Sequence, residues 1–363
     1  MTSATPTGDT RLRVALTGGR TFFGDRLIAA LEDDPRVEHI VVLDIKPPLS
    51  GGPKTRFVRV DLTDPAADER MGEVLVADGV DVLVHTALLA YPSHSRSWAH
   101  ELEAIGSLYV MNAAADALGR GRMKKLVLTS TTAVYGAHAS NPAFLTEDMP
   151  LNGIKASRWV MDKVAVEKEL LRLKKDCPKL ITTSLRFCMT VGPTIRNFYT
   201  KLLARNVVPT VMGYDPLEQF VHEDDAVAAL LKAVLEDHPG VFNIVGEGTL
   251  YHSDVLRLGG KVPVPVPHIL GYPVANALFD VQLSVVPGTF LNFFRYTWVA
   301  DDKRMRQQMG FSPRYTSREA VLSFFDSLGP TRAPDPGTRG AHDRATTEHA
   351  RPRPHGAAPG DLE

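Results

Sequence analysis

Cysteine is almost missing from this chain: its 363 residues include only Cys177 and Cys188. Two thiols without neighbouring histidines do not make a metal site, and two in so long a chain do not make a disulfide scaffold. No metal and a reducing, cytoplasmic setting are expected. Charge of one sign is missing too. The 41 Lys and Arg residues are balanced by 42 Asp and Glu, a formal net charge of −1 with no block of like charge, so no nucleic-acid partner is expected. Residues 1–10 are polar and lack the apolar segment of a signal peptide; they are expected to be disordered. A membrane-spanning helix needs about 20 uninterrupted apolar residues. The most apolar stretch, 262–299, is broken by Pro273, Asp280, Pro287-Gly288 and Arg295. Residues 329–363 lose all periodicity and fill with Pro, Gly, Arg, His and Ala, so this tail is expected to be disordered. No internal repeat is evident, and the apolar content that remains suffices for a sizeable core.

What is present is organised around Thr17-Gly18-Gly19-Arg20-Thr21-Phe22-Phe23-Gly24. A short apolar run ends at Thr17, and from Phe22 apolar residues recur at helical spacing through Leu31, so the stretch reads strand, turn, helix. That context turns a weak glycine pattern into a candidate dinucleotide-binding turn. Gly18 lets the chain leave the strand tightly, Gly24 lets the helix pack close, and the first helical N–H groups face a pyrophosphate. Thr21 stands where the fingerprint has its middle glycine; its Cβ crowds the backbone's approach to phosphate, and its hydroxyl can donate to one. The next β-branched run, 39–44, ends on Asp44. An acid at that strand tip, roughly 20 residues past the glycines, holds a ribose 2′-hydroxyl and repels a 2′-phosphate, which favours NAD over NADP. Arg20 and Lys46 lie near enough to blur that choice.

The chain continues in the same rhythm. A strand over 57–62 puts Asp61 and Leu62 at a tip near an adenine, and a helix follows over 66–77. The strand 80–84 leads into His85-Thr86-Ala87, whose small residues let the backbone pass beside a cofactor. His85 itself reads first as a satisfied core histidine. A helix over 98–118 carries the small residues Gly106, Ser107, Ala113 and Ala114, and the strand 125–129 runs into Ser130-Thr131-Thr132-Ala133-Val134-Tyr135-Gly136. Strands alternating with helices predict an α/β fold, a Rossmann-type doubly wound parallel sheet with ligands beyond the carboxyl ends of its strands.

With these pieces in place, the chain resembles the extended short-chain dehydrogenase/reductases, the NAD-dependent epimerase/dehydratase family, over residues 13–325. Besides the Thr17-Gly18 turn and the serine-rich strand end closing on Val134-Tyr135-Gly136, three stretches carry the likeness. They are Leu185-Arg186 with Val191-Gly192-Pro193, Phe220-Val221-His222-Glu223-Asp224-Asp225, and Asp302-Lys303 with Met309-Gly310-Phe311-Ser312-Pro313. The resemblance implies an NAD cofactor held by Thr17, Gly18, Arg20, Thr21, Phe22, Phe23, Gly24, Asp44, Asp61, Leu62, Thr86, Ala87 and Lys163. It also implies a Ser/Thr hydroxyl, here Thr131, that polarises a substrate carbonyl, and a Tyr-x-x-x-Lys pair that moves a proton while hydride passes to or from the nicotinamide. The family's Y-x-x-x-K-x-x-x-E is similar to the stretch from Trp159 through Lys163 to Glu167, so the lysine is kept and tryptophan replaces the tyrosine. An indole N–H is a donor only and does not relay protons near neutral pH. Tyr135 and His85 are the nearby groups with exchangeable protons, and Tyr135 reads as architectural. Asp162 is expected to point away from the ribose, and His222 resembles a structural position.

The implied architecture is a Rossmann half over 11–187 and a partly interleaved, smaller substrate half over 188–328. In the second half a helix over 198–206, a strand over 207–211 and an amphipathic helix over 226–236 are expected, the last with Glu223-Asp224-Asp225 at its positive end. The apolar stretch 262–299 admits three readings: core helices, a greasy lid over an apolar substrate, or a surface against a membrane or partner. Two functions remain open. One is an epimerase/dehydratase-type oxidoreductase acting on a nucleotide-sugar or a lipid- or isoprenoid-like small molecule. The other is a catalytically silent NAD-binding protein acting through a partner or membrane. A homodimer through the helices near 98–118 and 163–173 is implied by the family.

Overall fold

The computed structural model describes residues 11–284 and 286–329. The two ends expected to be disordered, 1–10 and the tail beyond Gly329, lie outside the described residues. Seven parallel strands form the central sheet: β1 (Leu12–Thr17), β2 (Val37–Asp44), β3 (Thr55–Arg59), β4 (Val82–His85), β5 (Lys125–Thr131), β6 (Ile181–Phe187) and β7 (Gly240–Ile244). Their spatial order is β7-β6-β5-β4-β1-β2-β3. The order reverses between β1 and β4, where Thr17 stands beside His85, and this switch point opens the crevice in which doubly wound sheets bind ligands.

Side chains along each strand alternate between two helical layers, as a parallel sheet buried on both faces requires. Val14, Leu16, Ile40 and Val42 meet Leu27, Ile28 and Leu31 of α1 (Phe22–Asp33). On the other face Ala15, Val41 and Leu43 join the core built with α2 (Ala67–Ala77), α3 (Gly106–Arg120) and α4 (Arg158–Asp176). The helix α5 (Glu223–Leu235) returns to the first layer through Ala226, Ala229 and Leu230, so the later part of the chain is interleaved with the earlier. A third core gathers Phe198, Tyr199, Leu203, Phe220, Phe290, Phe293, Phe294 and Phe324.

Two expected elements differ in ways that matter below. The helix expected over 98–118 is interrupted: Arg96–His100 is α-helical, Glu101–Ile105 is a π turn, and α3 follows. A π turn inserts an extra residue and re-aims the side chains it carries, commonly at functional sites. The strand expected to reach Leu62 ends at Arg59, because after Val60 the chain folds into a turn in which Asp61 accepts from the Thr63 N–H at 2.9 Å.

The apolar stretch divides between the readings open to it. Val262–Val266 pairs in parallel with Val207–Val211, His268–Asp280 is a helix containing Pro273, and Gly288–Phe294 is a 3₁₀ segment. Phe279, Phe290, Phe293 and Phe294 are core, but Ile269 and Leu283 are 74% and 71% exposed. Among the described residues no helix is long and apolar enough to cross a membrane.

Candidate active site

The turn after β1 closes as tightly as its glycines permit. Gly18 has φ +76°, and a Cβ there would lie 2.6 Å from the Ala87 backbone; one on Gly24 would lie 2.1 Å from the Gly18 carbonyl oxygen. Any side chain at either position would push the helix or the β4 exit away from the turn. Thr21 is the N-cap of α1: its hydroxyl donates to the Gly18 carbonyl at 2.8 Å and accepts from the Gly24 N–H at 3.1 Å. The expected donation from this hydroxyl to a phosphate is corrected here, since its one proton goes to the Gly18 carbonyl. The N–H groups of Phe22 and Phe23, in the first turn of α1, have no intrahelical acceptor and are the donors left for an anion.

At the tip of β2, Asp44 accepts from the Arg20 N–H at 3.2 Å and the Ile45 N–H at 2.6 Å. These bonds fix the carboxylate against the glycine turn, and its remaining lone pairs are free for a ribose diol. The Arg20 guanidinium is turned to the Pro47 carbonyl, 3.3 Å away. Thr86 is buried and donates to the Thr17 carbonyl at 2.7 Å, so it ties β1 to β4 at the switch point. Leu62 is buried against Gly106, where a Cβ would lie 2.9 Å from the Leu62 side chain.

A cleft of about 150 Å³ continues from this turn across the strand ends. Thr21, Phe22, Phe23, Thr86, Thr131, Trp159 and Lys163 line it, so residues from four separate stretches meet there. Thr131, the last residue of β5, accepts from the Ala133 N–H at 3.2 Å, and its hydroxyl proton remains available to a carbonyl oxygen. Asp44 and Asp61 belong to the far end, at β2 and just beyond β3.

The reacting end departs from expectation at Lys163. Its ammonium, 4% exposed, lies 2.5 Å from a carboxylate oxygen of Glu103, which is fully buried, and 3.2 Å from the Leu89 carbonyl. The same Glu103 oxygen accepts from the Leu89 N–H at 2.6 Å, and the other oxygen of that carboxylate has no hydrogen-bond partner among the described residues. Trp159 donates its indole N–H to the Leu89 carbonyl at 3.0 Å, with the Lys163 ammonium 4.3 Å from its ring. The backbone of Leu89 is therefore held at both its N–H and its carbonyl. Burial pushes the Glu103 carboxyl up and the Lys163 charge opposes it. Glu103 was not among the residues expected here; the π turn aims it, and its place beside Gly106, Ser107 and Val110 on the buried face of the helix was the available signal.

The other candidate proton carriers are structural. Tyr135 donates to Asn243 at 2.7 Å and accepts from Arg186 at 2.8 Å, within a buried network that also holds the Arg186–Glu167 pair at 2.9 Å. Burial pushes its hydroxyl up to about 12. Asp162 bonds His100 at 2.8 Å, and His222 caps α5 through the Asp224 N–H at 3.2 Å.

His85 lies between the hydroxyls of Thr17 and Ser107, at 2.6 and 2.7 Å. Burial holds its pKa down to about 4 from 6.5. Between those values the unfolded chain binds a proton that the native one does not, so this residue weakens the fold as pH falls from 6.5 to 4. His85→Gln should remove up to about 3 kcal/mol of that acid sensitivity. The check is the gap in unfolding free energy between variant and wild type, which should shift in the variant's favour across that window; a gap independent of pH would refute the assignment.

The NAD dependent epimerase/dehydratase family profile matches residues 14–245. An uncharacterized protein of Mycobacterium tuberculosis is 29% identical over 329 residues, covering 89% of this chain and 86% of that one. Among solved structures, a UDP-glucuronic acid 4-epimerase from Bacillus cereus, in complex with UDP-glucuronic acid and NAD, is 17% identical with a TM-score of 0.65, covering 87% of this chain and 99% of that one. A dTDP-glucose 4,6-dehydratase from Streptomyces venezuelae, with NAD and TYD bound, is 21% identical with a TM-score of 0.65, covering 87% and 96%.

Proposed function

Because the chain belongs to the NAD-dependent epimerase/dehydratase family, we propose that it is an NAD-dependent oxidoreductase whose small-molecule substrate is held between Thr131 and Trp159. The observation that carries this reading is the closed turn at Gly18 and Gly24, with the Phe22 and Phe23 N–H groups open and Asp44 fixed beside it. These residues fit a dinucleotide: the two N–H groups and the helix N-terminus take the pyrophosphate, Asp44 the adenosine ribose, and Asp61 the adenine amine. Asp44 favours NAD over NADP. When bound, the nicotinamide supplies a hydride acceptor or donor. Thr131 orients the substrate oxygen, the indole of Trp159 walls the cleft against water, and Lys163 places a cation at the edge of the ribose site.

The Rossmann half extends over 11–187 and the substrate half over 188–328. The relatives' substrates suggest a nucleotide-sugar, and the apolar segment 262–299 suggests something greasier. A cytoplasmic homodimer through the helical stretches near 98–118 and 163–173 completes the reading, and the exposed Trp98 and Leu171 on those stretches support it.

A titration of the protein with NADH and NADPH, followed by nicotinamide fluorescence, tests the core of this proposal. NADH should bind in preference to NADPH, and Gly24→Ala should weaken NADH binding at least about tenfold, equivalent to 1.4 kcal/mol. Wild-type protein that binds neither nucleotide would overturn it. One observation favours the second reading, a silent NAD-binding protein: the Trp159 N–H and the Lys163 ammonium are both engaged at the Leu89 peptide. A protein that binds NADH tightly and oxidises it with no carbonyl compound would support that reading.

A further inference from the structure

A second cavity, of about 200 Å³, lies in the substrate half among the helix Phe198–Leu203, the paired strands Val207–Val211 and Val262–Val266, and the helix His268–Asp280. Its chemistry differs from that of the cleft. The cleft carries Thr86, Thr129, Ser130, Thr131, Thr190 and Asn197; this cavity is walled by Leu202, Val266, Val274, Leu278, Phe290 and Phe294. Among the described residues that line it there is no carboxylate and no carboxamide, and the only side-chain hydroxyls are those of Thr210 and Ser284. A sugar buried here would lose its water and find few partners, at a cost of roughly 1–3 kcal/mol for each unpaired group.

The ionisable lining residues are all basic: Lys201, Arg205 and His268. Lys201 and Arg205 are exposed, which puts them at the mouth, and the Lys201 ammonium lies 4.1 Å from the Tyr91 ring centroid. The helix beside that mouth is apolar on nearly every side, yet of its 13 residues only Gly271 and Phe279 are buried. Leu270 is 60% exposed and Val274 55%. An apolar surface left open beside a cationic mouth is complementary to a ligand that is itself apolar and ends in an anion. The inner wall leads to the reacting end. Phe198 lines both spaces, and Phe290 packs on Phe198 and Trp159 with ring centroids 4.8 and 5.2 Å apart.

We propose that this cavity binds a single-chain amphiphile, its hydrocarbon chain directed toward Phe290 and its anionic head held at Lys201 and Arg205. As a statement of substrate class the inference rests on the NAD-dependent reading, but the binding itself is measured without nucleotide.

The full chain is titrated with a fluorescent polyene fatty acid. Binding should saturate with one site per chain, and palmitate should compete for it while its uncharged alcohol competes at least about tenfold less well. The double variant Lys201→Glu/Arg205→Glu should weaken binding about tenfold or more by reversing the charge at the mouth. Val274→Asp, at an exposed helical position that tolerates a polar residue in the fold, should weaken it by placing a carboxylate in the apolar wall. No saturable binding, or binding indifferent to both changes, would overturn the proposal. So would co-sedimentation with anionic phospholipid vesicles without binding of the free fatty acid, which would make the patch a membrane-docking surface. NADH titrated in parallel separates the two readings: fatty acid bound without NADH overturns the nucleotide reading alone, and NADH bound without fatty acid overturns this one alone.

Discussion

Lys163→Met should lower the unfolding free energy by about 3–5 kcal/mol, the range for removing one member of a buried ion pair. The reason lies in what is left behind. Glu103 is fully buried, one of its oxygens has no partner among the described residues, and the other would keep only the Leu89 N–H. Such a carboxyl escapes its penalty by taking up a proton, so its pKa, already raised in the native protein by burial, should rise further in the variant. The sign follows. A carboxyl with a higher pKa in the folded than in the unfolded state binds more protons when folded, so stability falls as pH rises above the unfolded value. The deficit of Lys163→Met should therefore grow from mildly acid to alkaline pH. Adding Glu103→Leu should recover most of the loss, because an apolar pair of similar volume avoids the desolvation both charges suffer. Urea unfolding of the two single variants and the double completes the cycle. A Lys163→Met protein within about 0.5 kcal/mol of wild type, the range of an ordinary surface change, would mean that the two side chains are not paired in solution.

That pair also marks the boundary of what the sequence made legible. The β1 turn, Asp44, the Thr131 strand end and the doubly wound order could be read because each is a local pattern: a period of two, a period of 3.6, or a residue with a special backbone requirement. Trp159 could be read as an anomaly against the family's spacing. Glu103 could not be joined to Lys163, because no spacing connects residues on two helices, and a π turn, which no composition rule announces, sets the direction of Glu103. Its chemistry nevertheless left a trace, an acid on the same helical face as Gly106, Ser107 and Val110, all of them buried. The use of Thr21 as a cap was legible in principle, since threonine before an apolar helical run with its side chain facing the third N–H is a common start signal. Competition between the Gly18 carbonyl and a phosphate for one hydroxyl proton is decided only by geometry. The apolar stretch was harder for a further reason: hydropathy counts apolar residues but does not distinguish Phe290, which packs inward, from Ile269, which does not.

Trp159→Tyr alone should not create an acidic phenol, whereas Trp159→Tyr combined with Glu103→Gln should. A phenol at this position would replace an indole that now bonds the Leu89 carbonyl beside the Lys163 ammonium. A lone cation at that range favours phenolate and lowers the ordinary pKa near 10 by about 1–3 units. Here the cation is not alone: the Glu103 carboxylate sits 2.5 Å from it, and its negative charge offsets the pull on the phenol. Glu103→Gln removes that charge yet keeps an oxygen that can accept from Lys163 and from the Leu89 N–H, so the two substitutions together present the phenol with an uncompensated cation. Phenolate absorbance during alkaline titration, read as a difference against Trp159→Phe in the same background, should show a pKa lower by about 1–3 units in the double variant than in the single one, or roughly 10- to 1000-fold more phenolate at a given pH. Equal values would show that Glu103 does not set the field at position 159. The expected difference would mean that, with Lys163 neutralised by a buried acid, a tyrosine at position 159 would be too weak an acid to relay a proton. The indole, which fills the space and supplies one hydrogen bond, then gives up no chemistry that the site still possessed.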